Sequence, residues 1–207
     1  KDELYRCQTD LDDFGLIYMV LAIAVMQVRV NSGNTIEAFE KKGESQGIAA
    51  VVRYVLDALK EMGLSQMLIV DPMSIYYLTG VYIAPFERFY ALYLRADGKH
   101  VYFLNKLFTV PEEVGVEKVW YDDTDPAAEI VAKYLDHDQT LGVDKDLTAR
   151  FLLPLMERKA ATGFVNASLA VDKTRGVKDA EEQELMRVSS DINDKAIAKF
   201  KTLIHEG

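Results

Sequence analysis

Arg88 stands among the residues best suited to chemistry. Tyr76-Tyr77 and Pro85-Phe86-Glu87-Arg88-Phe89-Tyr90 gather five aromatics and one arginine around a single connecting segment. A guanidinium beside aromatic faces makes a good carboxylate clamp, because its planar fork reaches both oxygens at once. The same residues also fit core packing with a surface Arg88–Glu87 pair. Local sequence leaves both readings open.

Carboxylates offer less. Asp122, Asp123 and Asp125 form the densest acidic group, just ahead of a helix start. Anionic side chains favour the positive end of a helix, so the group reads as a solvated loop and cap rather than a metal site. Gly142-Val143-Asp144-Lys145-Asp146 reads in the same way, as a strand end and helix cap.

The three histidines, His100, His137 and His205, share no metal-binding spacing and lie near no cysteine. Zinc-type sites need such clustering. Cys7 has no neighbouring histidine to activate it. The sequence contains no Gly-x-Ser-x-Gly, no phosphate loop and no Rossmann glycine triplet. No metal ligand and no catalytic residue is assigned within these 207 residues.

The elements that would position Arg88 follow from periodicity. Ile48, Val52, Val55, Leu59 and Met62 recur at helical spacing, and Gly63 stands at the capping position. Residues 67–70 are a short apolar run suited to a buried strand. Asp71-Pro72 opens a short helix ending at Gly80, since aspartate caps and proline suits a first turn. Residues 89–95 and 100–104 flank Ala96-Asp97-Gly98-Lys99, a strong hairpin signal.

Further along, 116–121 reads as a strand and Asp125-Pro126 opens a helix through Leu135. Residues 140–143 read as a strand, 147–158 as a helix, and a last strand falls within 163–171. Strands alternating with helices, plus one antiparallel hairpin, argue for the α/β class: a mixed β-sheet flanked by helices. Residues 178–207 read as a long helix. Asp179 and Glu182 are spaced as a capping pair, and Leu185, Val188, Ile192, Ile197, Phe200 and Ile204 form an apolar stripe.

Composition bounds the rest. Hydrophobic residues make up 49% and charged residues 28%, as in ordinary globular chains. Lys and Arg number 24 against 33 Asp and Glu, a net charge of −9. Such a chain is a poor partner for phosphate backbones or anionic lipid. A single cysteine is consistent with a reducing cytoplasm. The apolar run 14–26 is shorter than the ~20 residues a spanning helix needs. Its flank, Asp10, Asp12 and Asp13, is unlike the basic start of a signal peptide. Neither nucleic acid nor membrane is expected as a partner.

Several segments together carry a resemblance. Asp71-Pro-Met-Ser-Ile-Tyr-Tyr-Leu-Thr-Gly80, Glu87-Arg88-Phe89, Phe103-Leu-Asn-Lys-Leu-Phe108, Val119-Trp-Tyr-Asp122 and Arg150-Phe-Leu-Leu-Pro-Leu-Met156 occur in that order. With residues 171–186 they resemble the N-terminal domain of the creatinase/prolidase family (peptidase M24), nearest to bacterial Xaa-Pro dipeptidases. The resemblance implies a ribonuclease-H-like fold over residues 44–172. Residues 173–207 would be a linker and first helix leading to a catalytic domain beyond this chain. Residues 1–43 do not share the resemblance and are left as an unassigned N-terminal extension.

By the same resemblance, the whole protein cleaves the amide bond before proline with two divalent metals, manganese or cobalt. None of the family's metal ligands maps onto this chain, so the chain alone is expected to be inactive. Its partners would be its own C-terminal catalytic domain and a second copy, as a homodimer. Phe86 and Arg88 match the aromatic and arginine that in creatinases reach the substrate of the other subunit, so the resemblance makes them candidates for contact with a proline-containing dipeptide substrate. Ala84-Pro85 departs from the glycine common before Glu-Arg in the dipeptidases. The related alternatives are an aminopeptidase P, a creatinase-like hydrolase, or a scaffolding module of the same fold.

Overall fold

Alternation along three neighbouring strands divides the core between two faces of one sheet. A computed structural model describes residues 47–112 and 114–203. Cys7, His205, Ile204, Gly207, the apolar run 14–26 and the extension 1–43 lie outside the described residues. The strands are β1 (Gln66–Ile69), β2 (Ala91–Arg95), β3 (Val101–Asn105), β4 (Glu117–Tyr121), β5 (Leu141–Val143) and β6 (Phe164–Asn166). They lie in the order β4-β3-β2-β1-β5-β6. The β1–β2 and β2–β3 pairs are antiparallel, and the β3–β4, β1–β5 and β5–β6 pairs are parallel. This is the mixed sheet that the hairpin and the alternating helices predict.

Met67, Ile69, Leu92, Leu94, Tyr102 and Leu104 point to one side, into a core with Val52, Val55, Leu59 and Val171. Leu68, Ala91, Tyr93, Val101 and Phe103 point to the other, against Val131, Leu135 and Leu155. The period of two along each strand gives this division. The first face is covered by α1 (Gly47–Glu61), α2 (Pro72–Thr79) and α5 (Ser168–Gly176). The second is covered by α3 (Ala127–Ala132) and α4 (Ala149–Glu157). Val55 of α1 is fully buried, and burial of such a side chain contributes roughly 1.5–3 kcal/mol.

Local chemistry sets the ends of α2. The Asp71 carboxylate accepts from the Met73 and Ser74 amides at 3.2 and 2.9 Å. Gly80 closes the helix at φ +72°, and its amide donates to the Tyr76 carbonyl. A side chain at that φ would be strained, which explains the glycine. Gly142 answers to a different constraint. A Cβ there would lie 2.7 Å from the Cβ of Ala167, so β5 can approach the start of α5 only without one.

Two elements differ from the expected ones. The helix after Pro126 ends at Ala132 rather than Leu135. His137 Nε2 lies 2.9 Å from the Ala132 carbonyl and caps it from a following turn. The segment 163–171 holds a three-residue strand and then the start of α5, a helix the periodicity does not announce. Only Ser168, Ala170 and Val171 of α5 are buried, too few apolar positions to show a period. The Asn166 side chain accepts from the Ser168 amide at 3.0 Å, a local turn that marks its start.

The chain divides into two compact units, Gln46–Val177 and a second that carries α6 (Ala180–Lys201). The expected capping pair is present in α6. The Glu182 amide donates to Asp179 and the Asp179 amide donates to Glu182, each at 2.9 Å. Among the described residues no helix is long and apolar enough to cross a membrane.

Candidate functional site

The parallel pairing of β3 with β4 brings the site together. Asn105 is opposite Tyr121 in that register, so the segments leaving both strands emerge at one end of the sheet. β2 runs antiparallel to β3 with Ala91 opposite Phe103. The connection 81–90, which leads into β2, therefore reaches the same end.

Within this connection the Arg88 amide donates to the Pro85 carbonyl at 3.0 Å, closing a tight turn. Phe86 inside the turn has φ +53°. For an L-residue with a large side chain this left-handed conformation costs about 1 kcal/mol. Phe86 is 86% exposed, so the turn places an aromatic in solvent at an energetic cost. Below it the chain is anchored firmly. Phe89 packs edge-on against Phe151 with centroids 4.9 Å apart. The Tyr121 hydroxyl donates to the Phe89 carbonyl, and the Tyr90 and Tyr102 hydroxyls are hydrogen-bonded to each other. Burial pushes Tyr121 and Tyr102 up to about 12, and Tyr90 higher still, so all three stay neutral donors.

Arg88 is held on two sides. Its Nε and Nη2 donate to Asp123 Oδ1 and Oδ2 at 2.9 and 3.0 Å, a parallel fork. Its Nη1 lies 3.2 Å from Glu87. The Arg88–Glu87 surface pair is therefore present, together with a stronger Asp123 pair that local sequence does not announce. Asn105 Nδ2 also donates to Asp123 Oδ1, at 2.8 Å. The hydrogen bond from Arg88 and the one from Asn105 hold the Asp123 carboxyl below its usual range, against the opposing effect of desolvation.

The other aspartates of the acidic group are each engaged elsewhere. Asp122 pairs with Lys106 at 2.8 Å. Asp125 accepts from the Asp122 amide at 2.7 Å and does not cap α3, because Pro126 takes the N-cap position with no side-chain bond. No group of three or more His, Cys, Asp or Glu converges among the described residues. The described residues do not fit a divalent pair. His100 Nδ1 accepts from the Arg95 amide at 3.3 Å, and burial holds its pKa below the usual value.

Two concavities meet at Arg88. A cleft of about 560 Å³ is lined by Arg88, Phe89, Tyr121, Asp123, Arg150 and Phe151, among others. A groove of about 250 Å³ runs between Pro72, Pro85, Phe86, Tyr90, Leu147 and Arg88. Arg150 Nη1 donates to the Glu87 carbonyl at 3.3 Å, and its guanidinium carbon stands 5.4 Å from the Phe151 ring centroid.

A second polar cluster lies at the start of α2. Arg175 Nη1 reaches Asp71 Oδ2 at 3.2 Å and donates to the Ser74 hydroxyl at 3.0 Å. Burial raises the Asp71 carboxyl. The Ser74 hydroxyl, the Met73 and Ser74 amides and the Arg175 charge outweigh it and leave the group below its usual value. Asp144, almost fully buried, is pushed up by burial despite amides from Asp146 and Asp71.

The family model for the creatinase/prolidase N-terminal domain matches residues 52–177. The chain belongs to this family. The creatinase/prolidase N-terminal domain thus accounts for the sheet, its helices and the connection 81–90. An uncharacterised peptidase of Staphylococcus aureus strain USA300 is 27% identical over 158 residues, 74% of this chain and 44% of the relative. The chain therefore spans about half the length of the curated relatives it matches. A solved prolidase of Thermococcus sibiricus superposes with a TM-score of 0.71 at 20% identity, over 79% of this chain and 46% of that one. A solved dipeptidase of Mycobacterium ulcerans superposes with a TM-score of 0.57 at 26% identity, over 66% and 38%. The fold and family expected from the ordered motifs are those observed.

Proposed function

We propose that this domain forms the substrate rim and dimer contact of an Xaa-Pro dipeptidase in a reducing cytoplasm. The observation that carries the reading is the turn 85–88. It holds Phe86 in solvent in a left-handed conformation and sets Arg88 where the cleft and the groove meet. Strained backbone that the surrounding structure holds in place is concentrated where ligands or partners are met. An arginine forked on one edge to Asp123 and met elsewhere only by the exposed Glu87 suits the free carboxylate of a dipeptide.

In this reading the rim of one subunit closes over the active site of the other in a homodimer. A closed roof would restrict the pocket to short proline-containing substrates. The chemistry of bond cleavage belongs to a separate catalytic domain with two divalent metals, manganese or cobalt. Metals of that kind supply an activated water and polarise the carbonyl. Support for the reading comes from the prolidases and dipeptidases among the structural neighbours and from the geometry of Arg88.

The test uses the full-length protein. With manganese it should release proline from an Xaa-Pro dipeptide and should act poorly on longer Xaa-Pro peptides. Arg88→Ala should lower kcat/KM on the dipeptide. An unchanged specificity constant in that variant would remove Arg88 from the rim. The 207-residue chain alone should release no proline above a blank, and metal-dependent turnover by pure material would overturn the division of labour.

A further inference from the structure

We infer that Asp123 is the residue that positions Arg88, clamping one edge of its guanidinium so that the other faces a substrate carboxylate. This rests on Arg88 being a rim residue, as proposed above. The bonds divide along the guanidinium. Nε and Nη2 both point at Asp123, at 2.9 and 3.0 Å. Of the remaining donors, Nη1 lies 3.2 Å from the Glu87 carboxylate.

The two carboxylates hold Arg88 unequally. Asp123 makes a two-oxygen fork and is itself fixed by Asn105, whose side chain is fully buried at the end of β3. Such parallel, charge-assisted pairs combine strength with fixed direction. Glu87 makes one contact, to Nη1, and its side chain is 64% exposed against 51% for Asp123, so the fork and the Asn105 bond rather than burial set the two apart. Exposed pairs of that kind contribute little, and water readily replaces Glu87 as a partner. An incoming carboxylate would therefore displace Glu87 and leave Asp123 in place. The guanidinium has the donors for both, one fork along each edge.

Arg88 approached in this way is a ready-made carboxylate receptor. Without Asp123 it would be a flexible cation that must be ordered upon binding. Such ordering weakens binding, and a lost charge-assisted bond adds to the loss. Asp123 does not touch the substrate in this arrangement. Its effect passes entirely through Arg88.

The experiment is a double-mutant cycle in the full-length enzyme, on an Xaa-Pro dipeptide, with Arg88→Ala, Asp123→Asn and the double variant. Asp123→Asn is nearly isosteric and preserves one acceptor. It should raise KM about tenfold with kcat nearly unchanged, the signature of lost uniform binding. In the Arg88→Ala background it should add nothing. Glu87→Gln, which removes the competitor, should lower KM.

A second reading needs no turnover. In the 207-residue chain the Arg88 Nε–H resonance should be protected from solvent exchange, and Asp123→Asn should abolish that protection. If Arg88→Ala raises KM and Asp123→Asn does not, the positioning role falls while the rim reading stands. If Arg88→Ala also leaves KM unaltered, both fall together. Full additivity in the cycle would overturn the claim that Asp123 acts through Arg88.

Discussion

Asn105 and Asp123 meet at 2.8 Å, with the buried amide of Asn105 donating to the same oxygen that accepts from Arg88 Nε. Asn105 accepts in turn from the Leu107 amide at 2.9 Å. One side chain thus joins the end of β3 to the segments after β3 and β4. Asn105→Leu would leave the Leu107 amide without its side-chain acceptor and remove a bond from Asp123. The expected loss is about 1–3 kcal/mol, a fall in Tm of several degrees for a unit of this size. Thermal unfolding followed by circular dichroism checks it. A Tm equal to that of the parent would mean that Asn105 supports neither segment.

Much of this architecture can be read from local chemistry, because it is built from contacts between near neighbours in sequence. Asp71, Pro72 and Gly80 bound a helix through bonds within the same helix. Asp97-Gly98 folds the hairpin, with the Asp97 carboxylate accepting from the Lys99 amide. Asp179 and Glu182 cap each other. Arg88 and Asp123 are 35 residues apart, and they meet only because β3 and β4 are parallel in one particular register. No local pattern specifies that register. The residue types at 88 and 123 are visible in the sequence, and their pairing is not. The helix α5 escapes notice for a different reason. It packs mostly through small residues, Ser168 and Ala170 with one valine, which carry no periodic signal, and the Asn166–Ser168 turn is a weak local mark of its start.

The backbone cost at Phe86 can be measured directly. Phe86 is exposed, so replacing it removes little packing. Asparagine tolerates the left-handed region without the extra chain entropy of glycine. Phe86→Asn should stabilise the 207-residue chain by about 0.5–1 kcal/mol, read as a higher midpoint in urea with an unchanged slope. The same change in the full-length enzyme should lower kcat/KM if the ring is part of the rim. A destabilised variant would show that the ring packs against the turn and that no strain is stored there.

Close approach at Gly142 makes the opposite prediction. A methyl group there would stand 2.7 Å from Ala167 and 3.2 Å from the Gln66 carbonyl, both held in the fold. Neither neighbour can rotate away, since one is a Cβ and the other is backbone. Gly142→Ala should destabilise the domain by roughly 1–3 kcal/mol, the usual cost of overpacking. Chemical denaturation is the check. A neutral or stabilising result would show that β5 and α5 can separate at no cost.

Asp71 and Arg175 set an acid limb on the stability curve. The folded Asp71 carboxyl lies below its usual value, so the unfolded chain binds its proton at a higher pH. Stability from this group is complete above the ordinary carboxylate range. It is lost as pH falls through the lowered folded value. Asparagine still caps a helix but carries no charge for Arg175, 3.2 Å away. Asp71→Asn should therefore cost about 1 kcal/mol near neutral pH, since bonds to a charged acceptor exceed those to a neutral one by about that much. The difference from the parent should shrink on acidification below the usual aspartate pKa. Asp144 acts with the opposite sign. Its folded value is raised, so ionising it costs stability as pH climbs from the unfolded pKa to the folded one, a window that opens above the Asp71 limb. Urea midpoints of both proteins across acidic and neutral pH are the check; the Asp71 charge also helps raise Asp144, so Asp71→Asn relieves part of that cost above the usual aspartate pKa, while the loss of the Asp71 limb itself is read below it. A difference that stayed constant with pH would mean that the Asp71 charge contributes nothing beyond its cap.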